Sequence, residues 1–393
     1  MGKLVAKAKY RDILLGVGLL WATLALVLWP EQAMGAMRDG LRLCGNVILP
    51  SLFPFFVLSS LVVELGMSRY LGKLLEPVMA PLFRVNGSCA AALALGFVGG
   101  YPVGARTAIQ IYENGQCSRT EAERMLAFCN NSGPAFILGV VGAGVFGSGT
   151  AGLLLYLTHL LASLMVGVLF RFYRPGDKPQ TRRSRGPQFQ AASFSKAFTK
   201  SVTGAMQSTL NICAFVLFFT VFLRISAHAG ILNALGGLLS SLLAPLGMDQ
   251  TWAERLLTGL VEVSSGVSAL TDGALPGRLS MAAFMLGWAG VSVHCQVLAF
   301  LGDSGLSVRT YVAGKLLHGG LSALLVSLLF RAFPLSSPAS FYLAEQTEAI
   351  AQLDFQRALT LSAAVSWGVW LAFMALTVWV VQKNSGKGRR NVV

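Results

Sequence analysis

Long apolar segments recur along this chain of 393 residues, and they limit its fold more than any other feature of the sequence. Runs such as 13–29, 153–170 and 312–330 are long enough, as helices, to cross the hydrocarbon core of a bilayer, which is roughly 30 Å thick. Only 12% of the residues are charged, whereas a soluble domain carries about 25%, so too little polar surface is available to coat a water-soluble globule. The sequence therefore predicts an all-α polytopic membrane protein, and it excludes a disordered chain, a coiled coil and a disulfide-rich secreted scaffold.

The net charge of +14 is concentrated in three segments that lie mainly outside the apolar runs. Residues 1–12, 171–200 and 383–393 together hold 16 basic and 2 acidic residues. Because positively charged loops tend to stay on the cytoplasmic side of a membrane, all three segments are predicted to be cytoplasmic. A nucleic-acid-binding domain would instead carry its basic residues on one folded face, so no nucleic acid partner is expected.

These charges and the spacing of the apolar runs divide the chain into six predicted parts. An acidic segment precedes the last apolar run and its basic tail, and this order places the acidic segment outside the cytoplasm. The parts are the basic N-terminus with a first transmembrane helix (1–40), a first repeat (41–170), a basic cytoplasmic linker (171–200), a second repeat (201–331), an extracytoplasmic acidic loop (332–356), and a last transmembrane helix with a basic cytoplasmic tail (357–393).

The two large middle parts resemble each other at a nearly constant separation along the sequence. Ala80-Pro81-Leu82 matches Ala244-Pro245-Leu246 at an offset of 164 residues, and 96–104 aligns with 259–267 at an offset of 163. Each copy is predicted to cross the membrane an odd number of times, so the two copies run in opposite directions. The predicted fold is an inverted repeat of two halves with broken or re-entrant helices, flanked by one extra transmembrane helix at each end, as in many transporters.

Glycine, proline and asparagine interrupt the apolar runs at matching places in the two halves. Segment 99–106 is matched with 263–266, and segment 130–134 with 293–297. Interruptions in matching places of two repeats indicate a binding site, and their free N–H groups suit an anion, although the same residues can serve only to shape helix packing. Substrate binding is therefore predicted for Gly100, Tyr101, Pro102, Gly104, Arg106, Asn130, Asn131, Ser132, Ser264, Ser265, His294 and Gln296.

Two ionisable residues near these breaks have a specific predicted role. Glu262 is expected to bind a coupling ion or proton, or else to form an ion pair with Arg255 or Arg106 that only stabilises the bundle. Arg106 offers a planar fork that matches a carboxylate, unless it lies at the membrane surface near Glu113 and serves only as an anchor.

For three further ionisable residues within apolar runs a structural role is expected. His159 and His318 are expected to make polar contacts between helices, and Lys315 to extend its charge toward the membrane surface. No P-loop, HExxH or GxSxG motif occurs in the sequence, and the GxGxxG spacing at 142–147 and 147–152 falls in an apolar stretch whose glycines are spaced for helix packing. No enzymatic activity, catalytic residue, cofactor or metal is expected.

Four short motifs resemble those of a known family. They are Leu49-Pro50-Ser51-Leu52-Phe53-Pro54-Phe55, Gly99-Gly100-Tyr101-Pro102-Val103-Gly104-Ala105-Arg106, Thr120-Glu121-Ala122-Glu123-Arg124 and Asn130-Asn131-Ser132-Gly133-Pro134. Over nearly its whole length the chain resembles the YlbJ (also called SpoVV) sporulation integral membrane proteins of endospore-forming Firmicutes, which carry nucleoside recognition, or Gate, domains. The resemblance implies that the two repeats, 41–170 and 201–331, are Gate-like. The resemblance implies an architecture like that of concentrative nucleoside transporters and a role in moving dipicolinic acid across the outer forespore membrane. Because Val263-Ser264-Ser265-Gly266 replaces the Gly-Tyr-Pro-x-Gly pattern in the second half, the two halves of the site are expected to do different jobs.

The sequence thus supports one main function and leaves two others open. The main one is transport of a small organic anion, with dipicolinate as the implied substrate, by a multi-pass protein of the cell membrane that sits in the outer forespore membrane of a sporulating cell. The alternatives are a non-transporting scaffold for assembly of the spore envelope and a nucleoside carrier. A scaffold needs no paired broken helices, and nucleosides are neutral, so they suit a site with an arginine less well. Membrane lipids are the other expected partners, and a homo-oligomer is compatible with the sequence.

Overall fold

The computed structural model describes residues 2–65, 67–175, 194–302 and 304–332, together with single positions between 360 and 371. Within these residues every regular element is a helix. Four of the described helices are long and apolar enough to cross a membrane, and the number rises to six if each of two sharply bent pairs forms one span. The prediction of an all-α polytopic membrane protein is confirmed.

The part of the chain before residue 176 contains α1 to α8, which follow the apolar runs of the sequence. These helices are α1 Gly2–Leu28, α2 Pro30–Leu43, α3 Leu49–Glu64, α4 Met67–Phe83, α5 Ala90–Gly99, α6 Val103–Glu113, α7 Arg119–Leu126 and α8 Gly149–Phe170. Two π-helical segments, Cys44–Ile48 and Ala135–Val145, precede α3 and α8. The apolar parts of α1 and α2 meet at 95°, and those of α4 and α5 at 96°.

The part of the chain after residue 193 contains the remaining described helices. They are α9 Phe194–His228, α10 Ile231–Leu243, α11 Gln250–Val261, α12 Val263–Ser268, α13 Leu275–Trp288, α14 Gly290–Leu301 and α15 Val308–Ala332. Helices α13 and α14 qualify together as one span. Helix α9 packs on α2 and α3, so the second part of the chain returns to the first.

Helix α8 has an apolar outer face and a polar inner one. Leu153, Leu157 and Leu161 follow one another at intervals of four residues, lie along one side of the helix and are each about half exposed. On the same helix His159 and other polar side chains are buried. This distribution is the reverse of that in a soluble protein and is the one expected of a helix that faces lipid.

The two parts of the chain share a buried apolar core. Ile137 and Leu155, from the segment around α8, pack in one cluster with Val267, Leu286 and Val326 from α12, α13 and α15. The halves therefore interlock, and the polar site described below lies where their elements meet.

The helix breaks of the first part lie where they were predicted, whereas those of the second part are displaced. The first break is confined to 100–102, so Gly104 and Arg106 belong to α6. The prediction that 263–266 is broken is wrong, because these residues form α12 and the break lies one position earlier, at Glu262. The prediction that 293–297 is broken is also wrong, because they lie inside α14 and the break is at Ala289, where φ is +79°.

Glycines allow the two arms of a helical hairpin to touch in each half, in the α5–α6 hairpin and in the α11–α12 hairpin. A Cβ atom at Gly104 would lie 2.9 Å from the Cα of Gly96, and one at Gly266 would lie 2.2 Å from the Cα of Gly259. The two arms of each hairpin thus cross at backbone distance, which only glycine allows. The alignment of 96–104 with 259–267 pairs Gly96 with Gly259, whereas Gly266 lies one position before the counterpart of Gly104.

Part of the predicted organisation lies outside the described residues. This applies to 176–193 of the linker, to 333–356 of the acidic loop, and to almost all of 357–393. The six part boundaries and the sidedness of the loops stay predictions.

Candidate functional site

The two helix breaks of the first half lie against each other. Gly100 has a φ of +78°, and a Cβ atom there would lie 2.8 Å from the backbone nitrogen of Gly133. The hydroxyls of Tyr101 and Ser132 are both buried, and neither makes a hydrogen bond with a described group. The break after α7 is therefore held directly on the tip of the α5–α6 hairpin.

The two breaks of the second half also meet at a glycine. Gly290 has a φ of +84°, and a Cβ atom there would lie 3.1 Å from the carbonyl oxygen of Val261. Glu262 accepts hydrogen bonds from the backbone N–H groups of Ser264, at 3.0 Å, and Ser265, at 2.7 Å. Its buried carboxylate thus caps α12 and satisfies two N–H groups that the helix itself leaves unpaired.

Glu262 is not paired with either arginine that the sequence offered as a partner. Arg255 forms its ion pair with Asp272 and stacks on the ring of Trp252, 5.1 Å from the ring centroid. Within the described part of the chain Glu262 makes no ion pair. The carboxylate is a helix cap, and its predicted role in binding a coupling ion or proton is not decided by this geometry.

Lys315 lies at the centre of the buried polar residues. It is fully buried on α15, and its Nζ donates a hydrogen bond of 2.8 Å to the backbone oxygen of Asn130. Asn130 lies in the break after α7, at 130–134, which is called the second break from here on. The same Nζ lies 3.3 Å from Nδ1 of His318, one turn along the helix. The expectation that this lysine extends its charge toward the membrane surface is wrong, because its amine is held inside the bundle.

Two stacked histidines connect Lys315 to the second break. The rings of His159 and His318 have centroids 4.3 Å apart. His159 Nε2 accepts the backbone N–H of Ser132 at 2.9 Å, and His318 Nε2 lies 2.9 Å from the backbone oxygen of His159. A carbonyl oxygen only accepts, so His318 carries its proton on Nε2 and offers Nδ1 as the acceptor for Lys315. The expectation that the two histidines make polar contacts between helices is confirmed.

A third histidine joins the network through a tyrosine. Tyr311 Oη accepts the side-chain N–H of Asn130 at 3.2 Å and lies 2.9 Å from Nδ1 of His294. When the Tyr311 hydroxyl donates to Nδ1, the neutral His294 ring carries its own proton on Nε2. Asn130 therefore links α14 and α15 to the break after α7.

Several buried polar atoms of the second break, α8 and α14 have no hydrogen-bond partner among the described residues. They are Asn130 Oδ1, Asn131 Oδ1, Ser132 Oγ, His159 Nδ1, Ser292 Oγ and His294 Nε2. Buried polar groups are nearly always paired, and a local concentration of unpaired ones marks a place for a polar ligand or for water. His159 Nδ1 is an N–H donor because Nε2 accepts from Ser132, and His294 Nε2 is one in the tautomer in which Tyr311 donates to Nδ1, so the cluster can receive an acceptor-rich ligand.

No carboxylate of the described residues balances Lys315. The buried acids are engaged elsewhere: Glu262 caps α12, Glu121 accepts the N–H groups of Ser118 and Asn86, and Glu123 pairs with Arg119. A charged group in a low-dielectric interior is costly without a partner of opposite charge. The site is thus basic and rich in donors.

The structure does not gather all the predicted site residues into this cluster. Arg106 lies two positions after Gly104 on α6, on the opposite face of that helix, and its guanidinium packs between the rings of Phe56, at 5.0 Å, and Phe300, at 6.0 Å. Among the described residues, no hydrogen bond or ion pair joins Arg106 to Lys315 or to Glu113. Its role as a substrate ligand stays a prediction.

The predicted residues of the second half fall into two groups. His294 and Gln296 are buried on α14, and His294 belongs to the central network. Ser264 and Ser265 lie in the first turn of α12, where their N–H groups are already bonded to Glu262. A substrate would thus reach their hydroxyls and not their backbone donors.

Sequence reasoning missed Tyr311 and underrated Lys315 as a site residue. A signal was present: Tyr311, Lys315, His318 and Ser322 succeed one another at intervals of four, three and four residues, which places them on one face of α15. All four are buried, while Leu316 and Leu324 on the same helix are exposed. A polar stripe of this kind on an apolar span indicates a functional interior face.

These features define a polytopic membrane protein whose interrupted helices meet at a buried, basic, polar cluster. Residues 47–170 match the Nucleoside recognition (Gate) family model. The chain is 30% identical over 342 residues to the sporulation integral membrane protein YlbJ of Bacillus subtilis (strain 168), a match that covers 82% of this chain and 84% of that protein. The chain therefore belongs to the YlbJ family of sporulation integral membrane proteins, and the resemblance seen in its motifs is confirmed.

Two solved structures of CNTnw are similar to this chain. One shows an inward-facing substrate-bound state, at 15% identity and a TM-score of 0.42 over 81% of this chain and 86% of that chain. The other shows a doubly substituted variant in an outward-facing state, at 15% identity and a TM-score of 0.42 over 84% and 86% of the two chains.

Proposed function

We propose that this protein transports a small organic anion across the membrane. The observation that carries the proposal is Lys315, a fully buried amine to which the described residues bring no carboxylate. Around it His159 and His294 each keep a ring N–H without a partner. An anion with several acceptor oxygens would supply the missing charge and the missing acceptors together.

The proposed substrate is dipicolinate. It presents two carboxylates on a flat aromatic ring, so one carboxylate can pair with Lys315 while the second reaches another donor of the cluster. Tyr101, at the edge of the first break, offers a ring for stacking. Membership in the YlbJ family supports a role in sporulation and, with it, a position in the outer forespore membrane.

A nucleoside is the weaker candidate for this site. Nucleosides are neutral, so binding one would leave the buried amine of Lys315 unbalanced whenever it is protonated. A pure scaffold is weaker as well, because it has no need for a basic cluster buried at 0–7% exposure.

Transport requires that the cluster become accessible. Its side chains are closed off from the surface, so a ligand reaches them only when the helices around the second break move apart. We infer that the two halves form an inverted repeat and that one moves against the other, which would expose the site to each side of the membrane in turn. Reporter fusions in 178–190 test the orientation, and an extracytoplasmic signal there would contradict it.

The proposal is tested with purified protein. Binding of dipicolinate is compared with binding of its neutral dimethyl ester, which keeps the ring, and with that of uridine. Uptake into liposomes is then followed for the ligand that binds. We expect dipicolinate to bind and to be taken up, and the ester and uridine to bind at least tenfold more weakly.

Two matched lysine variants distinguish the loss of the amine within the site from the general effect of removing one positive charge. Lys315→Met keeps the length of the side chain and removes the amine, and loss of one partner of a buried charged pair should weaken dipicolinate binding by about 30-fold or more. Lys200→Met removes an exposed lysine that pairs with Glu64, and binding should stay within about twofold of wild type. A folded protein that neither binds nor moves dipicolinate or another small anion would favour the scaffold, and preferential uptake of uridine would favour the nucleoside carrier.

A further inference from the structure

The hydrogen bonds of Lys315 leave its protonation state free to change. Its Nζ has two partners, the backbone oxygen of Asn130 and Nδ1 of His318, and both are acceptors. A neutral amine has two N–H groups and one lone pair, so it can make both bonds. A protonated amine makes the same two bonds and has a third N–H to offer to a ligand. Gain or loss of a proton at Lys315 therefore breaks no bond that the structure shows.

The two histidines next to Lys315 lack this freedom. His159 Nε2 accepts the N–H of Ser132, and His318 Nδ1 accepts the N–H of Lys315. Protonation of either ring would place a hydrogen on an atom that is already accepting one, and a bond would be lost. His294 can take a proton only if the Tyr311 hydroxyl stops donating to it.

The other ionisable groups near Lys315 either do not compete for its proton or have partners of their own. Cys129 directly precedes the second break, and Tyr311 on α15 accepts from Asn130. Arg278 on α13 donates to the backbone oxygens of Leu270 and Val145. The charged residues of α7 bond to one another or to the loops around α7; they are Arg119, Glu121, Glu123 and Arg124. No carboxylate among the described residues is in position to hold Lys315 charged when the site is empty.

We propose that Lys315 is the coupling group of the transporter: it is neutral in the empty site and takes up one proton as each anion binds. The amine lone pair forms a new N–H bond with a proton from water, and the resulting ammonium pairs with the anion's carboxylate. The anion and the proton would then move together, which lowers the charge carried across the membrane by one. This inference rests on the proposed anion transport and assigns to Lys315 the coupling role that the sequence suggested for Glu262.

Proton uptake on binding tests the inference with the unmodified protein. Calorimetry of dipicolinate binding in two buffers with different heats of ionisation gives the number of protons taken up per anion. We expect one, together with an affinity that falls about tenfold per pH unit over the range in which the empty site is neutral and the complex is protonated. Binding without proton uptake at every pH from 6 to 9 would overturn the coupling and leave anion transport standing, whereas absence of any anion binding would overturn both.

Two variants locate the proton. Lys315→Arg has a side chain that stays charged throughout the pH range of proteins, so it should bind dipicolinate with no proton uptake and with little dependence on pH. His294→Gln removes the alternative acceptor; it should weaken anion binding, because it also removes a donor of the site, but each anion that binds should still bring one proton. Proton uptake that persists in a folded Lys315→Arg protein and disappears in His294→Gln would place the coupling at His294. If the arginine does not fit and the protein does not fold, the proton count of the wild-type protein still decides whether coupling occurs, and the count for His294→Gln decides whether it depends on that histidine.

Discussion

Gly104 gives the sharpest test of how the first hairpin is packed against the second break. A Cβ atom at this position would lie 1.9 Å from the carbonyl oxygen of Cys129, 2.8 Å from its carbonyl carbon and 2.9 Å from the Cα of Gly96. These neighbours are all backbone atoms, which cannot rotate away as a side chain can. Non-bonded heavy atoms pack at about 3.5 Å, so Gly104→Ala must push α6 and the break apart by roughly 1 Å or more.

The magnitude follows from two opposing effects. Overpacking of a rigid contact costs about 1–3 kcal/mol, and the upper end applies because only backbone can yield. Alanine in place of glycine within a helix returns up to about 1 kcal/mol. The net loss is about 2 kcal/mol, which for a chain of 393 residues corresponds to a fall in apparent melting temperature of about 2–3 °C, because the entropy of unfolding grows with chain length. The hydrogen bond between Lys315 and Asn130 lies next to this contact, so dipicolinate affinity should fall as well.

The assay compares the melting temperature and dipicolinate binding of Gly104→Ala with those of a matched glycine-to-alanine variant on another helix. A Cβ atom at Gly320 on α15 would meet nothing within 4 Å. Gly320→Ala should therefore leave the melting temperature in detergent unchanged or slightly raised, with normal dipicolinate binding. If Gly104→Ala melted with the wild-type protein and bound dipicolinate as tightly, the close packing of α6 on Cys129 would be refuted.

Three further substitutions give separate expectations. Glu262→Gln leaves one acceptor for two backbone N–H groups, so it should lower stability by about 1–2 kcal/mol while the proton count per anion in calorimetry stays at one; a count of zero would return the coupling role to Glu262. Arg124 is buried and donates four hydrogen bonds to three backbone carbonyls beyond the ends of α4 and α8, so Arg124→Lys should lower the melting temperature by several degrees, whereas Arg119→Lys at a half-exposed position should change it little. Asn131→Ala removes an unpaired carbonyl oxygen and one bond to Phe128, so titration should show dipicolinate affinity about tenfold weaker with a smaller change in folded yield; lost yield with unchanged affinity would indicate capping only.

The breaks of the first half were predictable because their own residues oppose helix formation. Gly100 and Pro102 stop α5, and the segment from Asn130 to Pro134 combines residues that favour turns and caps. The breaks of the second half were misplaced for a physical reason. Ala289 is a strong helix former that tertiary packing forces into a positive φ, and the Glu262 side chain allows the following serines to begin a helix.

The centre of the site depends on contacts that local sequence does not specify. The amine of Lys315 bonds to a backbone oxygen 185 residues away, and His318 bonds to one 159 residues away. Taken alone, a lysine within an apolar span is expected to extend toward the membrane surface. Only the polar stripe along α15 gives a local hint that this lysine points inward.

The two halves of the site differ in how each break is stabilised, and this difference limits where an anion can bind. In the second half the carboxylate of Glu262 occupies the N–H groups of Ser264 and Ser265. A negative charge built into the chain there would repel an anion and has already taken the donors that the anion would use. In the first half no acidic side chain follows Gly100 in the break, and the neighbouring second break brings Lys315 and unpaired donors instead. The anion site is therefore expected to be one-sided, built from the break after α7 and the inner face of α15, with the capped α11–α12 hairpin serving as a wall and not as a ligand.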